Sequence, residues 1–422
     1  LIRILKTLAQ VAFVVVLAAC GSSNNNSSNA SMRLVNATTA ATLTLSLNGS
    51  AQFSNIPAHS ASPYASIGPG TYTITVTAAG GTVTSSTQTF GVGSAQTYSL
   101  LAYDRDGSLF TAFVTENETA PASGFGVLGL ANLSPDSGAL DVYVVAPGAS
   151  ISGLAPTFQN VQNGAPSVGS TVAVGSYDII ATGVGSPADV RFTASSVSVG
   201  NGQIESLALT STPGGGLVNG VFLIQTGPVR FEPNTNARVR VVSALPVAGS
   251  SQVVGTVGST SLASVFSPNP GRYTLVAGGA STYSITVSGT AVAGLPAATF
   301  TTGGDFTILV YGTVPATPSV SVFTDNNQAP LSGQVNMRLV NAGANVTGGV
   351  TMYVNGLQVA SSVAYGAASP YAGVGVTAAA VLQLIQAGGT PVNTPIALST
   401  PGAVYTVFVI DSTLTPYLIR DR

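Results

Sequence analysis

From residue 32 onward the chain alternates between apolar and polar positions. In Thr42 to Leu47, three leucines alternate with Thr42, Thr44 and Ser46; in Thr71 to Thr77, Tyr72, Ile74 and Val76 alternate with four threonines. A period of two puts successive side chains on opposite faces, so these runs predict strands with one face buried and one wetted. Asn48-Gly49, Asp106-Gly107 and Asn355-Gly356 stand between such runs; both dipeptide types tolerate positive φ and predict hairpin turns. No long amphipathic helix is visible. Val376 to Ala387 is Ala-rich and helical by propensity, but its place in the repeat described next predicts a strand. Roughly six to eight short strands in each 90–105 residues predict an all-β chain of tandem immunoglobulin-like β-sandwiches.

The pattern recurs over a long distance. Met-Arg-Leu-Val-Asn-Ala occurs at residues 32–37 and again at 337–342. Leu47-Asn48-Gly49 matches Val354-Asn355-Gly356, Ala61-Ser62-Pro63-Tyr64 matches Ala368-Ser369-Pro370-Tyr371, and Tyr98 matches Tyr405, each at an offset of 307. Ordered matches at a nearly constant offset mark two copies of one domain. Two more diverged units lie between them. One contains Asn132 to Asp136 and Leu140 to Val144; the other opens at Arg238 to Ala244 and continues to Gly271-Arg-Tyr-Thr-Leu275, which echoes Gly70-Thr-Tyr and Gly175-Ser-Tyr. Unit ends are alike as well: Phe113-Val-Thr-Glu-Asn117, Val322-Phe-Thr-Asp-Asn326 and Tyr417-Leu-Ile-Arg-Asp-Arg422. Breaks in Pro-, Gly- and Asn-containing stretches give units of 32–119, 120–230, 231–330 and 331–422.

The opening Arg-Leu-Val-Asn-Ala, the Ser134-Pro-Asp and Leu140-Asp-Val-Tyr-Val segments, Tyr353-Val-Asn-Gly356 and Ser369-Pro-Tyr371 resemble the bacterial repeats of domain of unknown function 4397. The resemblance covers units one, two and four well. It is weak in unit three, where Ser243-Ala-Leu-Pro246 replaces the Asn-Ala start. It implies an exported, sandwich-type repeat and lends no catalytic residues.

The first twenty residues read as an address. Arg3 and Lys6 precede the apolar run Val11 to Ala19, which is too short to span a bilayer and fits a signal-peptide core. Leu17-Ala-Ala-Cys20-Gly21 resembles a bacterial lipobox, which implies cleavage before Cys20 and a diacylglycerol on its thiol; the alternative is an ordinary signal peptide with a chance cysteine. Residues 21–31, polar and uncharged, predict a flexible tether. Gly21 in place of Asp favours the outer membrane over inner-membrane retention. The absent initiator Met suggests an alternative start codon or a shortened leader.

Composition sharpens this picture. Only 6% of residues are charged and 45% are hydrophobic, a balance for packed strands with Ser, Thr, Asn and Gln on the surface. Without the leader, 10 basic residues face 14 acidic ones, so no basic patch for nucleic acid is expected. Cys20 is the single cysteine, which excludes an intramolecular disulfide. The lone histidine, His59, precedes a strand and reads as a loop residue, since a catalytic triad needs an oriented carboxylate and an activated serine. Asp104-Arg-Asp-Gly-Ser108 opens like a calcium loop but lacks the later ligands, so a tight hairpin is the simpler account. Glu116, Glu118, Asp325 and Asn326 lie at unit junctions and read as solvated linker polarity, with inter-domain calcium as the alternative. Gly214-Gly-Gly216 reads as slack between strands.

These readings predict no catalytic, cofactor or metal site. They describe a non-enzymatic, lipid-anchored cell-envelope protein with a structural, adhesion or protein-interaction role; the alternative is a periplasmic or surface lipoprotein binding a glycan or small ligand. Its partners would be the membrane, through the lipid, and a protein or glycan. Sandwiches about 40 Å long, stacked end to end, would reach well beyond a bilayer.

Overall fold

The computed structural model of the chain describes residues 28–79, 86–164, 168–245, 251–267, 269–312, 318–344, 346 and 348–422. The leader, Cys20 and all but the last residues of the expected tether lie outside these. Among the described residues the secondary structure is entirely β.

The first unit comprises β1 (Ala30–Asn36), β2 (Thr42–Leu47), β3 (Ser50–Ile56), β4 (Ser60–Ala61), β5 (Ala65–Ile67), β6 (Gly70–Ala79), β7 (Ser86–Val92), β8 (Thr97–Arg105) and β9 (Ser108–Thr115). They form two sheets. One has the order β4-β1-β8-β9 with β5 also on β1, and the other β3-β2-β6-β7. Three alternating sets (Leu43, Leu45 and Leu47 from β2; Ile74 and Val76 from β6; Met32 and Leu34 from β1) bring the apolar faces together in one buried cluster. β1 runs parallel to β8, with Met32 opposite Tyr98.

The same plan recurs in every unit. In the last, strand Gln334–Asn341 runs parallel to Val404–Val409, Met337 facing Tyr405, and a second sheet has Val350–Val354 between Leu357–Val363 and Thr377–Gln386. Units two and three repeat the central parallel pair, as Phe125–Asn132 with Ile204–Ser211 and as Asn236–Ala244 with Asp305–Tyr311. The all-β sandwich architecture is as expected. The immunoglobulin likeness lies in two sheets packed face to face; the strand order, with its parallel pair, differs from the order of an immunoglobulin constant domain. The Ala-rich stretch is the strand Thr377–Gln386, because Leu382 and Leu384 must face the core while neighbours on both sides supply its hydrogen bonds.

Three sequence expectations shift. β1 opens at Ala30, so the last two residues of the expected tether are in a strand. The boundary after Arg230 falls inside the strand Val229–Glu232, which pairs with Val218–Ile224 and extends unit two to Glu232. The piece Gly271 to Leu275 is not the counterpart of Gly70-Thr-Tyr72. That place belongs to the strand Tyr283–Val287, which pairs with Gln252–Val257 as β6 pairs with β2. Both pieces place a tyrosine before a hydroxyl residue and an aliphatic one, Tyr273-Thr-Leu275 and Tyr283-Ser-Ile285, and only the pairing separates them.

The repeated hexamer has two faces. Met32 and Leu34 point into the sandwich, as Met337 and Leu339 do. Asn36 follows them inward and is buried. Its Nδ2 donates to Ala41 O (2.8 Å) and Ile56 O (2.9 Å), and its Oδ1 accepts from Thr38 N (3.0 Å), tying one sheet to the other. Asn341 does the same with Val363 O (2.9 Å) and Gly343 N (3.1 Å), and Asn132 with Gly138 O and Val161 O. Unit three has Ser243 here, too short to cross, and its buried hydroxyl has no partner among the described residues. The other residues, Arg33, Val35 and Ala37, face away from the core of their own unit.

Replacing Asn341 with Ala leaves a buried carbonyl and amide unpaired, and unfolding in urea is expected to show a loss of about 1–3 kcal/mol. An unchanged midpoint would mean that the asparagine does not clamp the sheets.

Candidate functional site

The outward half of the hexamer meets a neighbouring unit. Val35, Ala37 and Leu101 of unit one pack on Ala208, Val221 and Leu223 of unit two. Val242, Ala244 and Leu309 of unit three pack in the corresponding way on Val340, Ala342, Phe408 and Ile410 of unit four. The units are therefore not strung out singly. They lie sheet against sheet in two pairs, each built on the faces that carry the parallel strands.

A buried arginine sits in each junction. Arg33 of β1 lies over the Tyr64 ring, 4.6 Å from its centroid, and its guanidinium reaches Ser99 Oγ (2.6 Å) and Glu116 Oε1 (3.0 Å). It also crosses into unit two, donating to Gly227 O at 2.5 Å. Glu116 answers from the other side: Oε2 accepts from the Tyr64 hydroxyl and from Thr226 N of unit two, both at 2.6 Å. The two repeated motifs meet here. Ser62 holds the Leu34 backbone in both directions (2.9 Å each), Pro63 turns the chain, and Tyr64 lands on the arginine of the hexamer. Burial and the Glu116 carboxylate hold the Tyr64 hydroxyl in its protonated, donating form far above the usual tyrosine range.

Units three and four repeat the set and exchange it. Arg240 stacks on Tyr273 (4.7 Å) and bonds Thr307 Oγ1 (2.9 Å); Arg338 stacks on Tyr371 (4.7 Å) and bonds Thr406 Oγ1 (3.0 Å). The carboxylates then cross over. Arg338 pairs with Asp325 of unit three at 2.5 Å, and Arg240 pairs with Asp421 of unit four at 2.7 Å. The second contact is an ion pair more than a directed hydrogen bond, since Asp421 Oδ1 and Arg240 Nη2 have no well-angled partner among the described residues. Burial alone would push the Asp325 carboxyl up. Arg338 and Arg240, with the Thr307 and Tyr273 hydroxyls, outweigh it and hold that carboxyl below the usual range. Unit two carries no such arginine; the residue opposite Ser206, the counterpart of Ser99, is Gly129.

A further anchor joins the pairs. Asp136 is fully buried in unit two. It accepts from Arg105 Nε of unit one (2.8 Å), from Ser211 Oγ (2.7 Å), and from the amide of Ala329 (2.7 Å) in the segment before unit four. Arg422 donates to Pro135 O next to it. Nearby, Gly214 to Gly216 are buried and tightly held, which corrects the reading of slack. Gly214 exchanges backbone hydrogen bonds with Gly303 (2.9 Å) and Asn327 (3.0 Å), and a Cβ at Gly216 would collide with the Arg238 guanidinium. Arg238 reaches past that glycine to Asp305 (2.6 Å) and, more loosely, to Asp189 of unit two (3.5 Å).

The remaining candidates fall as follows. His59 is exposed at positive φ (53°), 5.7 Å from the Phe231 ring, and its counterpart Gly366 also has positive φ (75°). Asp106 and Gly107 form a two-residue turn with φ of 48° and 69° between β8 and β9, while Asp104 accepts from Thr39. Glu116 and Asp325 are buried arginine partners, not solvated linker residues as their sequence position suggested; Glu118 and Asn326 are exposed. Their shared signal was visible in the repeating Thr-Glu-Asn, Thr-Asp-Asn and Arg-Asp-Arg unit ends. Among the described residues, no three His, Cys, Asp or Glu side chains are grouped to hold a metal. Cys20 lies outside the described residues.

The geometry defines a chain of β-sandwiches joined through buried arginine–carboxylate junctions. Residues 30–143 match the family model described as Domain of unknown function (DUF4397), in agreement with the resemblance read from the hexamer and the Leu140 segment. Comparison with curated proteins finds no match. Among solved structures, a Bacteroides uniformis protein titled "a putative cell adhesion protein" is 14% identical, with a TM-score of 0.20, covering 48% of this chain and 98% of its own. The Bacillus anthracis TIE protein is 9% identical, with a TM-score of 0.15, covering 92% of this chain and 75% of its own. At these TM-scores neither bears on what this chain does.

Substitutions at Arg338 and Asp325 test the junctions. Arg338→Met strands Asp325 without its closest cation and is expected to cost about 3–5 kcal/mol in denaturant unfolding. Pairing it with Asp325→Asn should recover part of that loss. Because the folded Asp325 carboxyl is depressed, its contribution is full above a pH of about 4 and fades as pH falls through the folded value; Asp325→Asn should flatten the acid limb of stability against pH. Glu205 behaves in the opposite sense. It is 3% exposed, and burial raises its carboxyl, with Arg230 and Gln203 compensating in part. Its charge costs stability above the folded value, so Glu205→Gln is expected to raise the melting temperature at neutral pH. A lower melting temperature would show that the Gln203 contact outweighs the burial of charge.

Proposed function

We propose that the chain is a non-enzymatic, lipid-anchored cell-envelope protein with a structural, adhesion or protein-interaction role, acylated on Cys20 and held on the outer membrane. The observation that carries this reading is the exchange of carboxylates between units three and four, with Arg240 on Asp421 and Arg338 on Asp325. Junctions of this kind fix the mutual orientation of sandwiches. A body of fixed geometry suits the display of a surface at a distance from a membrane, or the transmission of load to it. The apolar run, the small residues before Cys20 and the uncharged stretch after it support the anchor. Two or more acyl chains hold a protein on a bilayer for long periods.

Growth with an alkyne-tagged fatty acid is expected to label the wild-type chain and leave Cys20→Ser unlabelled, with the variant moving from the membrane to the soluble fraction. An unlabelled wild-type chain, or a variant that stays equally membrane-bound, would overturn the anchor. Protease treatment of intact cells, followed with an antibody against residues 331–422, then separates an outward display from a periplasmic one.

A further inference from the structure

The sheets that carry the arginines are covered by neighbouring units. In units one, three and four the opposite sheets turn their outer faces to solvent, and the four units allow one face to be compared with its counterparts. In unit one, Ser46 lies between Ala51 and Thr75, and Thr75 faces Thr87; with Thr44, Thr73, Thr77 and Thr89 this is a plain hydroxyl surface. In unit three, the corresponding positions hold Thr256 and Ser284. In unit two, Tyr143 takes part but is only 3% exposed.

Unit four differs. Tyr353 lies between Gln358 and Gln383, and Gln383 faces Asn393, so a row Gln358–Tyr353–Gln383–Asn393 crosses all four strands of the sheet. Met352, Val354, Leu382 and Leu384 are buried on the other side, which turns the row outward. Gln358 and Asn393 are exposed, Tyr353 and Gln383 half-buried, and Gln383 Nε2 donates to Asn393 Oδ1 at 2.9 Å. Val381, 48% exposed, and Pro395 flank the row on one side, Thr351 and Ile385 on the other. The four strands of this sheet contain no charged residue.

We propose that this face of unit four binds an uncharged glycan chain. The chemistry selects that class. A row of primary amides offers donors and acceptors together, as a polyhydroxyl ligand requires. The tyrosine supplies an amphipathic ring for the C–H face of a sugar. The absence of charge gives an anionic or cationic polymer nothing to pair with. An apolar partner would leave three amides desolvated and unpaired, at a cost for each. Four strands at a spacing of about 4.8 Å make the row about 14 Å long, a length for several linked sugars. The proposal rests on the adhesion reading and names its partner; lipid labelling at Cys20 and binding at this sheet can fail independently.

The test is affinity electrophoresis of the full chain in native gels containing a neutral glucan, mannan or galactan, with heparin as the anionic comparison. Retardation by at least one neutral polysaccharide and none by heparin is expected. The triple variant Tyr353→Ser, Gln383→Thr, Asn393→Thr carries the residues that unit one tolerates in the same register. With an unchanged circular-dichroism melt, it should bind about tenfold more weakly, equivalent to about 1.4 kcal/mol. Should the triple variant melt early, the rim substitution Asn393→Thr alone is the substitute, with a weakening of about threefold expected. No retardation by any of the three neutral polysaccharides, retardation by heparin alone, or equal retardation of wild type and folded variant would overturn the proposal.

Discussion

A guanidinium taken out of water needs a carboxylate, and the carboxylate needs donors of its own. In this chain that demand is met across unit boundaries. Arg33 uses its own Glu116 and the carbonyl of Gly227, while Arg240 and Arg338 take their ion pairs from Asp421 and Asp325. Each cluster also contains a tyrosine under the arginine and a hydroxyl beside it. A sandwich standing alone would keep part of this set unpaired, so the sandwiches are held to one another by the cost of separating charges that are already dry.

The consequence concerns specificity more than gross stability. Buried ion pairs offset much of their own gain through desolvation, and apolar substitutes of equal volume can be as stable. The apolar part of each junction, such as Val242, Ala244 and Leu309 against Val340, Ala342 and Phe408, supplies the attraction. The charged part dictates which faces meet and in what orientation, since a slipped register would strand a charge. With 6% charged residues in the chain, a large share of them sits in these junctions and in the Asp136 anchor. The solvent-facing sheets are left to threonine, serine and amides, and those faces are free to differ between units.

Much of the fold was legible because it is local. Alternation in Thr42–Leu47 and Thr71–Thr77, together with the Asn-Gly turns, specifies strands and hairpins without reference to distant residues. Repetition extended this to the Ala-rich strand Thr377–Gln386, where propensity alone misleads. The site was legible only in fragments. The hexamer, the Ser-Pro-Tyr motif and the acidic unit ends all stood out, yet nothing in their spacing says that Arg33, Tyr64 and Glu116 meet. Glu116 and Asp325 looked like solvated linker acids because they stand where a unit ends, Glu116 just past its last strand and Asp325 as the final residue of one, and such positions are ordinarily wet. Gly214 to Gly216 looked slack for the same reason, whereas Asp305, Asn327 and Arg238 of another unit press against them.

The amino-acid sequence by itself determined the strands, the sandwich plan and its repetition, because each follows from side-chain period and turn chemistry written along the chain. Tertiary structure alone decided that the units pair, that arginines and carboxylates trade partners between units three and four, and that Asp136 collects contacts from three parts of the chain. Those outcomes depend on which buried charge finds which counter-charge after the strands have formed, and residues nearly two hundred positions apart, such as Arg240 and Asp421, carry no mark of each other until the sheets have packed.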